Sequence, residues 1–108
     1  ARRVAMLLER LHELHPAVPV CVLGLLSERD LAPEPFAALQ RFDTELELLV
    51  RARGATFVRT ARVPLIDARG ALEETFSSDP LHLASEGYTV LARWIVDEGG
   101  AVGRALAP

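Results

Sequence analysis

One continuous apolar run constrains the fold of this chain more than any other feature. Residues 18–26 read "VPVCVLGLL", without a charged or amide side chain to face water. A strand of this kind is typical of a parallel sheet covered on both faces, because a strand with one solvated face alternates apolar and polar residues. We therefore expect a buried parallel strand here, with helices before and after it.

The segments around this run alternate between helical and extended patterns. Apolar residues at helical spacing predict a first helix over residues 2–15, which Pro16 ends. A second helix follows a polar loop, has Pro35 in its first turn and stops at Gly54. Residues 55–63, "ATFVRTARV", predict a shorter second strand, residues 70–76 a short helix, and residues 85–98 a last helix that ends at Gly99-Gly100. This alternation predicts an α/β fold with a parallel sheet.

Two strands are too few for such a sheet to stand alone. A parallel sheet covered by helices needs more strands, and the unpaired edges of two strands are left open. The 108 residues are thus expected to form a single domain or a part-domain. The first residues already follow a helical pattern without an initiator Met, so we expect either a missing N-terminal segment or a partner chain to complete the sheet. Any export signal would lie upstream, and the sequence does not choose between a cytoplasmic and an exported protein.

Composition excludes several classes of function. A net charge of -3 without a basic stripe argues against nucleic acid as the main partner. All twelve basic residues are Arg, and the absence of Lys excludes Schiff-base chemistry and a phosphate-binding loop of the Walker type. The lone Cys21 offers neither a disulfide nor a cysteine metal site, and we expect it to be a buried, inert thiol. No apolar run reaches the roughly 20 residues of a membrane span.

The segment "SSDPLHLASEGY" carries the pattern that points to chemistry. It places Asp79 and His82 three residues apart in a loop that contains Pro80, just before the last helix. In a serine hydrolase a carboxylate holds one ring nitrogen of a histidine, and the other nitrogen takes the proton of the nucleophile. Spacing alone also permits a simpler interpretation, in which His82 packs at the helix start and Asp79 makes a turn.

Other residues have simpler interpretations. His12 and His15 lie three apart on the first helix, but no third metal ligand at a fixed spacing accompanies them, so a solvated helix face is favoured and no metal site is predicted. Tyr88 and Trp94 fall on the apolar side of the last helix and are expected in the core.

The wider context of the pair resembles the last conserved block of the SGNH (GDSL) hydrolases. That block reads Asp-x-x-His-Leu, a short gap and then Gly-Tyr, which here are Asp79, His82, Leu83, Gly87 and Tyr88. The resemblance implies that this chain is the C-terminal half of a flavodoxin-like three-layer fold with a parallel sheet. It also implies a catalytic triad in which His82 is the general base and Asp79 orients it.

The other blocks of that family are absent from this chain. There is no Gly-Asp-Ser sequence to supply the nucleophile, and the chain contains no Asn for the oxyanion hole. The four serines, Ser27, Ser77, Ser78 and Ser85, do not suit the role, because nucleophile, base and oxyanion donors must meet within hydrogen-bond reach. Ser85 is expected instead to cap the last helix. The nucleophile and the oxyanion hole are therefore expected outside this chain.

The resemblance predicts a serine esterase or acyl hydrolase that cleaves a small-molecule carboxylic ester through an acyl-enzyme. It implies no metal and no organic cofactor, and the chain alone is expected to be inactive. Two alternatives stay open: an acyltransferase of the same fold, and a non-catalytic α/β module that pairs with another chain through its exposed sheet edge.

Overall fold

The computed structural model describes residues 2–25, 33–60, 64–68, 71–79 and 82–108. Their elements, in chain order, are helix α1 (Arg2–Leu14), strand β1 (Cys21–Leu23), helix α2 (Pro33–Ala52), strand β2 (Thr56–Val58), a short 3-10 helix (Glu74–Phe76), helix α3 (Ser85–Glu98) and helix α4 (Gly100–Leu106). The predicted polar loop that contains Ser27 lies mostly outside the described residues. None of the described helices combines the length and the apolar character that a transmembrane segment requires.

The two strands form a parallel sheet, as the sequence predicts. Cys21 is in register with Thr56, and Leu23 with Val58. Helix α2 connects the strands, and Gly54, just beyond its last turn, adopts a φ of 76°. Such a left-handed residue lets the chain leave the helix, and glycine adopts it without the steric cost of a Cβ. The α/β expectation is therefore confirmed for the described part.

Helices α1 and α2 pack on one face of this sheet. Leu8 of α1, Leu46 and Val50 of α2, and Phe57 of β2 form a cluster of buried side chains. Successive strand residues face opposite sides, so the fully buried Val58 faces away from this cluster. A second cluster lies under α3 and is built on three buried leucines, Leu65, Leu72 and Leu83.

Helix α3 runs antiparallel to β2. At its C-terminal end, a Cβ added to Gly100 would lie 2.6 Å from the hydroxyl oxygen of Thr56, the first residue of β2. Six residues earlier in the chain, Trp94 lines a cavity of about 210 Å³ together with Arg59, which follows the last residue of β2. The start of α3, and the loop before it, therefore lie beyond the carboxyl end of the sheet.

The strands are shorter and less covered than the sequence predicts. The run at 18–26 pairs only over Cys21–Leu23, and the run at 55–63 only over Thr56–Val58, with residues 61–63 outside the described part. The expectation of burial on both faces is wrong for Leu23, which is 41% exposed. Neither the outer edge of β1 nor that side of Leu23 is covered by described residues. Cys21 is half-buried, and this burial raises the pKa of its thiol, which keeps the thiol protonated.

The structure of the last helix also differs from the prediction in two respects. Tyr88 is 57% exposed and not in the core, whereas Trp94 is half-buried against the second cluster. Gly99 ends α3, as expected, but Gly100 starts a further helix, α4, that packs back on α3. The Gly-Gly pair indicates the stop and gives no sign of this second helix. The short helix expected at 70–76 is confirmed only as the single 3-10 turn Glu74–Phe76.

The burial difference along α2 generates a matched pair of variants. Leu46 is 5% exposed in the first cluster, whereas Leu48 is 68% exposed. Leu46→Ala should lower the free energy of unfolding by about 2–5 kcal/mol, because it leaves a cavity among α1, α2 and β2. Leu48→Ala should change it by no more than about 0.5 kcal/mol. Urea unfolding of the protein as it is naturally expressed measures both, and equal costs for the two variants would contradict this packing.

Candidate active site

The loop that carries Asp79 and His82 is closed by backbone hydrogen bonds. Ser77 and Leu83 form an antiparallel bridge. Outside it, the Ala84 N–H donates to the Phe76 carbonyl oxygen over 2.8 Å, and inside it the Ser78 N–H donates to the His82 carbonyl oxygen over 2.9 Å. The loop therefore starts and ends at a fixed place, next to the first turn of α3.

Asp79 holds His82 at two points. Its Oδ2 lies 2.8 Å and its Oδ1 3.0 Å from the ring Nδ1 of His82. Oδ1 also accepts the backbone N–H of His82 over 2.8 Å. A carboxylate that bonds the N–H three residues on stabilises a turn, as Asp side chains commonly do. The same carboxylate thus fixes both the backbone and the ring, so the turn and the proposed pair are one arrangement.

The contact leaves the other ring nitrogen available. With Nδ1 as the donor to a carboxylate, the neutral ring carries its lone pair on Nε2. Nε2 makes no hydrogen bond within the described part of the chain. The side chains of His82 and Asp79 are 69% and 50% exposed, so this pair adds little to folding stability. An exposed, oriented imidazole can instead take a proton from a group presented to it.

Gly87 sets the distance between α3 and this loop. A Cβ at Gly87 would lie 2.4 Å from the Phe76 carbonyl oxygen and 3.2 Å from the Cβ of Leu83. Since that carbonyl accepts the Ala84 N–H, a side chain at position 87 would push apart the two ends of the loop, which this hydrogen bond joins. The glycine of the Gly-Tyr pair is therefore needed for close approach of helix and loop.

No serine completes the site among the described residues. The Ser77 hydroxyl donates to the Glu74 carbonyl oxygen over 3.2 Å, and the Ser78 hydroxyl to the His82 carbonyl oxygen over 3.4 Å. Ser85 is the first residue of α3, whose N-cap position is occupied by Ala84 without a side-chain bond. The expectation that Ser85 caps α3 is wrong, because the helix begins at Ser85 itself, one residue earlier than such a cap requires.

One cavity elsewhere in the described part of the chain is a further candidate for binding. A cavity of about 270 Å³, lined in part by His12 and Arg53, lies at the amino ends of the strands, next to Val20 and Ala55. It is at the opposite end of the sheet from His82. In the described ranges no three His, Cys, Asp or Glu side chains come together as metal ligands.

One buried ionisable residue is not among those predicted from the sequence. Asp43, in the middle of α2, is fully buried, and its Oδ1 accepts the N–H of Leu25, just past β1. Burial raises the pKa of its carboxyl group, an effect that the Leu25 hydrogen bond and Arg59 oppose and Glu47 reinforces. A signal was present, because Asp43 stands three and seven residues before the buried Leu46 and Val50, on one helix face.

The comparisons with known proteins support the fold. A solved structure from Streptococcus pneumonia, provisionally named as a platelet activating factor, superposes on 89% of this chain with a TM-score of 0.78 and 19% sequence identity. The match covers 48% of that protein, so this chain spans about half the length of the structure that it resembles. Neither a protein-family model nor a curated protein matches the sequence. At this identity the likeness shows a shared fold.

The first turn of α3 provides a test of the loop geometry. Gly87→Ala should lower the free energy of unfolding by roughly 1–3 kcal/mol, because the added Cβ meets the Phe76 backbone. Ser85→Ala, two residues away, should change it by about 0.5 kcal/mol or less, since no capping bond is lost. Denaturant unfolding compares the two, and a larger cost for Ser85→Ala would reverse the assignment of the helix start.

Proposed function

We propose that this chain is the acid–base part of an SGNH-type serine esterase or acyl hydrolase, with His82 as the general base and Asp79 as its orienting residue. The observation that carries the proposal is the contact of both Asp79 carboxylate oxygens with Nδ1 of His82, at 2.8 and 3.0 Å. Its position beyond the carboxyl end of a parallel sheet supports it further, because open α/β sheets bind ligands in the crevice at that end.

The pair has a defined task in ester cleavage. Nε2 of His82 removes the proton of a serine hydroxyl as the oxygen attacks the ester carbonyl, and gives it to the leaving alkoxide as the acyl-enzyme forms. In the second half the same nitrogen takes a proton from water, which attacks the acyl-enzyme, and returns it to the serine. Asp79 keeps Nδ1 protonated throughout and stabilises the imidazolium that forms in each half.

The nucleophile and the oxyanion donors come from outside these 108 residues in this proposal. The solved structure that shares the fold is about twice as long as the part matched here, which leaves room for them in a complete domain. Transfer of the acyl group to an alcohol instead of water would use the same steps. Product analysis with and without an added acceptor alcohol separates the hydrolase from the acyltransferase.

A fluorophosphonate probe tests the central role of His82. In the protein as it is naturally expressed, the probe should form a covalent adduct on one serine. His82→Ala should slow labelling and turnover of p-nitrophenyl acetate by about 10²–10⁴-fold, because the serine loses its base. Peptide mapping by mass spectrometry then locates the adduct.

The matched control is His15→Ala, at an exposed residue just after the end of α1. This variant should label at the rate of the unaltered protein. Labelling that is unchanged in His82→Ala, with the protein folded, would sink the assignment, and an adduct on Ser77 or Ser78 would place the nucleophile within this chain.

A second candidate function is a pairing module, and the outer edge of β1, with which no described residue pairs, favours it. The Thr56 N–H donates to the Val20 carbonyl oxygen and the Gly24 N–H to that of Val58. Since parallel strands direct alternate residues toward their partner, Cys21 and Leu23 direct their N–H and C=O groups away from β2. Exposed apolar side chains accompany this edge on α1 and along residues 18–25: Met6, Leu7, Leu14, Val18, Leu23 and Leu25.

Both candidates require this edge to be paired with a further parallel strand. Amide hydrogen exchange should therefore show Leu23 protected as strongly as Val22, its neighbour that faces β2, in the protein as it is naturally expressed. Rapid exchange of Leu23 beside a protected Val22 would mean that the edge is open. Light scattering then tells a strand of the same chain, in a monomer, from a strand of a partner, in a complex.

A further inference from the structure

Asp43 is a buried carboxyl group that the proposed reaction does not use. It lies in the middle of α2 and is 0% exposed. Oδ1 accepts the Leu25 N–H over 3.2 Å, whereas Oδ2 is buried and finds no hydrogen-bond partner in the described part of the chain. Buried polar atoms without a partner are rare in folded proteins, and each one calls for an explanation.

The carboxyl group is covered by the two residues that follow β1, Gly24 and Leu25. A Cβ added to Gly24 would lie 2.8 Å from Oδ2 of Asp43 and 3.0 Å from the Cζ of Phe57. The backbone of Gly24 therefore packs directly against Oδ2, and Leu25 is bonded to Oδ1. Water can reach this carboxyl group from the β1 side only if the carboxyl end of β1 moves aside.

In the described part of the chain, no cation forms an ion pair with Asp43. Arg59 and Glu47 are the charged groups that act on it. The Nη1 and Nη2 groups of Arg59 are bonded to the Gln40 carbonyl oxygen and amide oxygen, to the Thr44 hydroxyl and to Glu47, and its buried Nε has no partner. An ionised carboxylate at this place would therefore be a buried charge with one hydrogen bond, which is strongly unfavourable.

We propose that Asp43 is a pH-dependent latch for the carboxyl end of β1, closed over the neutral carboxyl group and opened when the group ionises. In the closed form Gly24 and Leu25 cover the acid and Leu25 is held by Oδ1. Once the group is ionised, solvation of the charge favours the open form, in which this end of β1 has moved away. The latch acts at the same end of the sheet as His82.

The direction of the pH dependence follows from the burial. Because the pKa of Asp43 is raised above its ordinary value of 3.8 in the folded chain, the closed form holds a proton that the open and unfolded forms have lost. The closed form is therefore most stable, relative to the open form, below about pH 3.8. Its stability falls as the pH rises from there through the raised pKa of Asp43, and is constant above that pKa.

Hydrogen exchange of the Leu25 amide measures the latch in the protein as it is naturally expressed. After correction for the intrinsic exchange rate, the opening of Leu25 should grow as the pH rises from about 4 through the raised pKa of Asp43. The expected increase is about tenfold for each pH unit that separates the Asp43 pKa values of the closed and open forms. In Asp43→Asn, which keeps the shape and the Oδ1 acceptor, opening should not depend on pH. The control Asp97→Asn, at an exposed carboxyl group on α3, should behave like the unaltered protein.

Two results would overturn the latch. One is a Leu25 opening that stays constant or falls with rising pH in the unaltered protein, since a carboxylate that simply binds the N–H more tightly would give that. The other is the same pH dependence in Asp43→Asn. If that variant does not fold, the carboxyl ¹³C shift of Asp43 decides in the unaltered protein: the latch requires titration above the ordinary value of 3.8, and titration at or below that value refutes it.

Discussion

The parallel pairing of β1 with β2 is the constraint on which the rest of the structure depends. With Cys21 in register with Thr56 and Leu23 with Val58, the chain must cross back between the strands, and α2 is that crossover. Parallel pairing places the carboxyl ends of both strands at one end of the sheet. Because α3 runs antiparallel to β2, its first turn and the His82 loop lie at the same end of the sheet. The position of the candidate site is thus a consequence of strand direction.

At this end of the sheet, one short loop carries the carboxylate of Asp79 and the imidazole of His82 together. The backbone bonds between residues 76–78 and 82–84 close the loop, and Asp79 then bonds both the N–H and the ring of His82. An exposed ion pair in water contributes little to stability, so its fixed geometry comes from the closed loop and from the contact of Gly87 with Phe76. Such an arrangement suits a catalytic pair, because the packing beneath the loop, and not the exposed ion pair, sets the position of the ring. Nε2 is thereby left available for chemistry.

The order of the elements and the Asp79–His82 contact could be predicted from sequence, for local reasons. Helix stripes, the stop at Gly54 and a three-residue loop spacing each depend on neighbours in the chain. The structure differs from the prediction where contacts with residues distant in the chain determine whether a side chain is buried. Leu23 and Tyr88 are apolar or aromatic, yet they are exposed because no described element covers them. Asp43 is charged, yet its position on the helix face of Leu46 and Val50 turns it under Gly24, and α4 follows a glycine pair that predicts only a stop.

The proposed role of Asp79 depends most on the tautomer of the His82 ring, which ¹⁵N NMR can read directly. In the histidine-labelled, naturally expressed protein at neutral pH, the ring of His82 should carry its proton on Nδ1 and show Nε2 as the unprotonated nitrogen, and Asp79→Asn should weaken this preference. A ring protonated on Nε2, or one that exchanges freely between the two tautomers as His15 should, would contradict the claim that Asp79 orients His82 as a base.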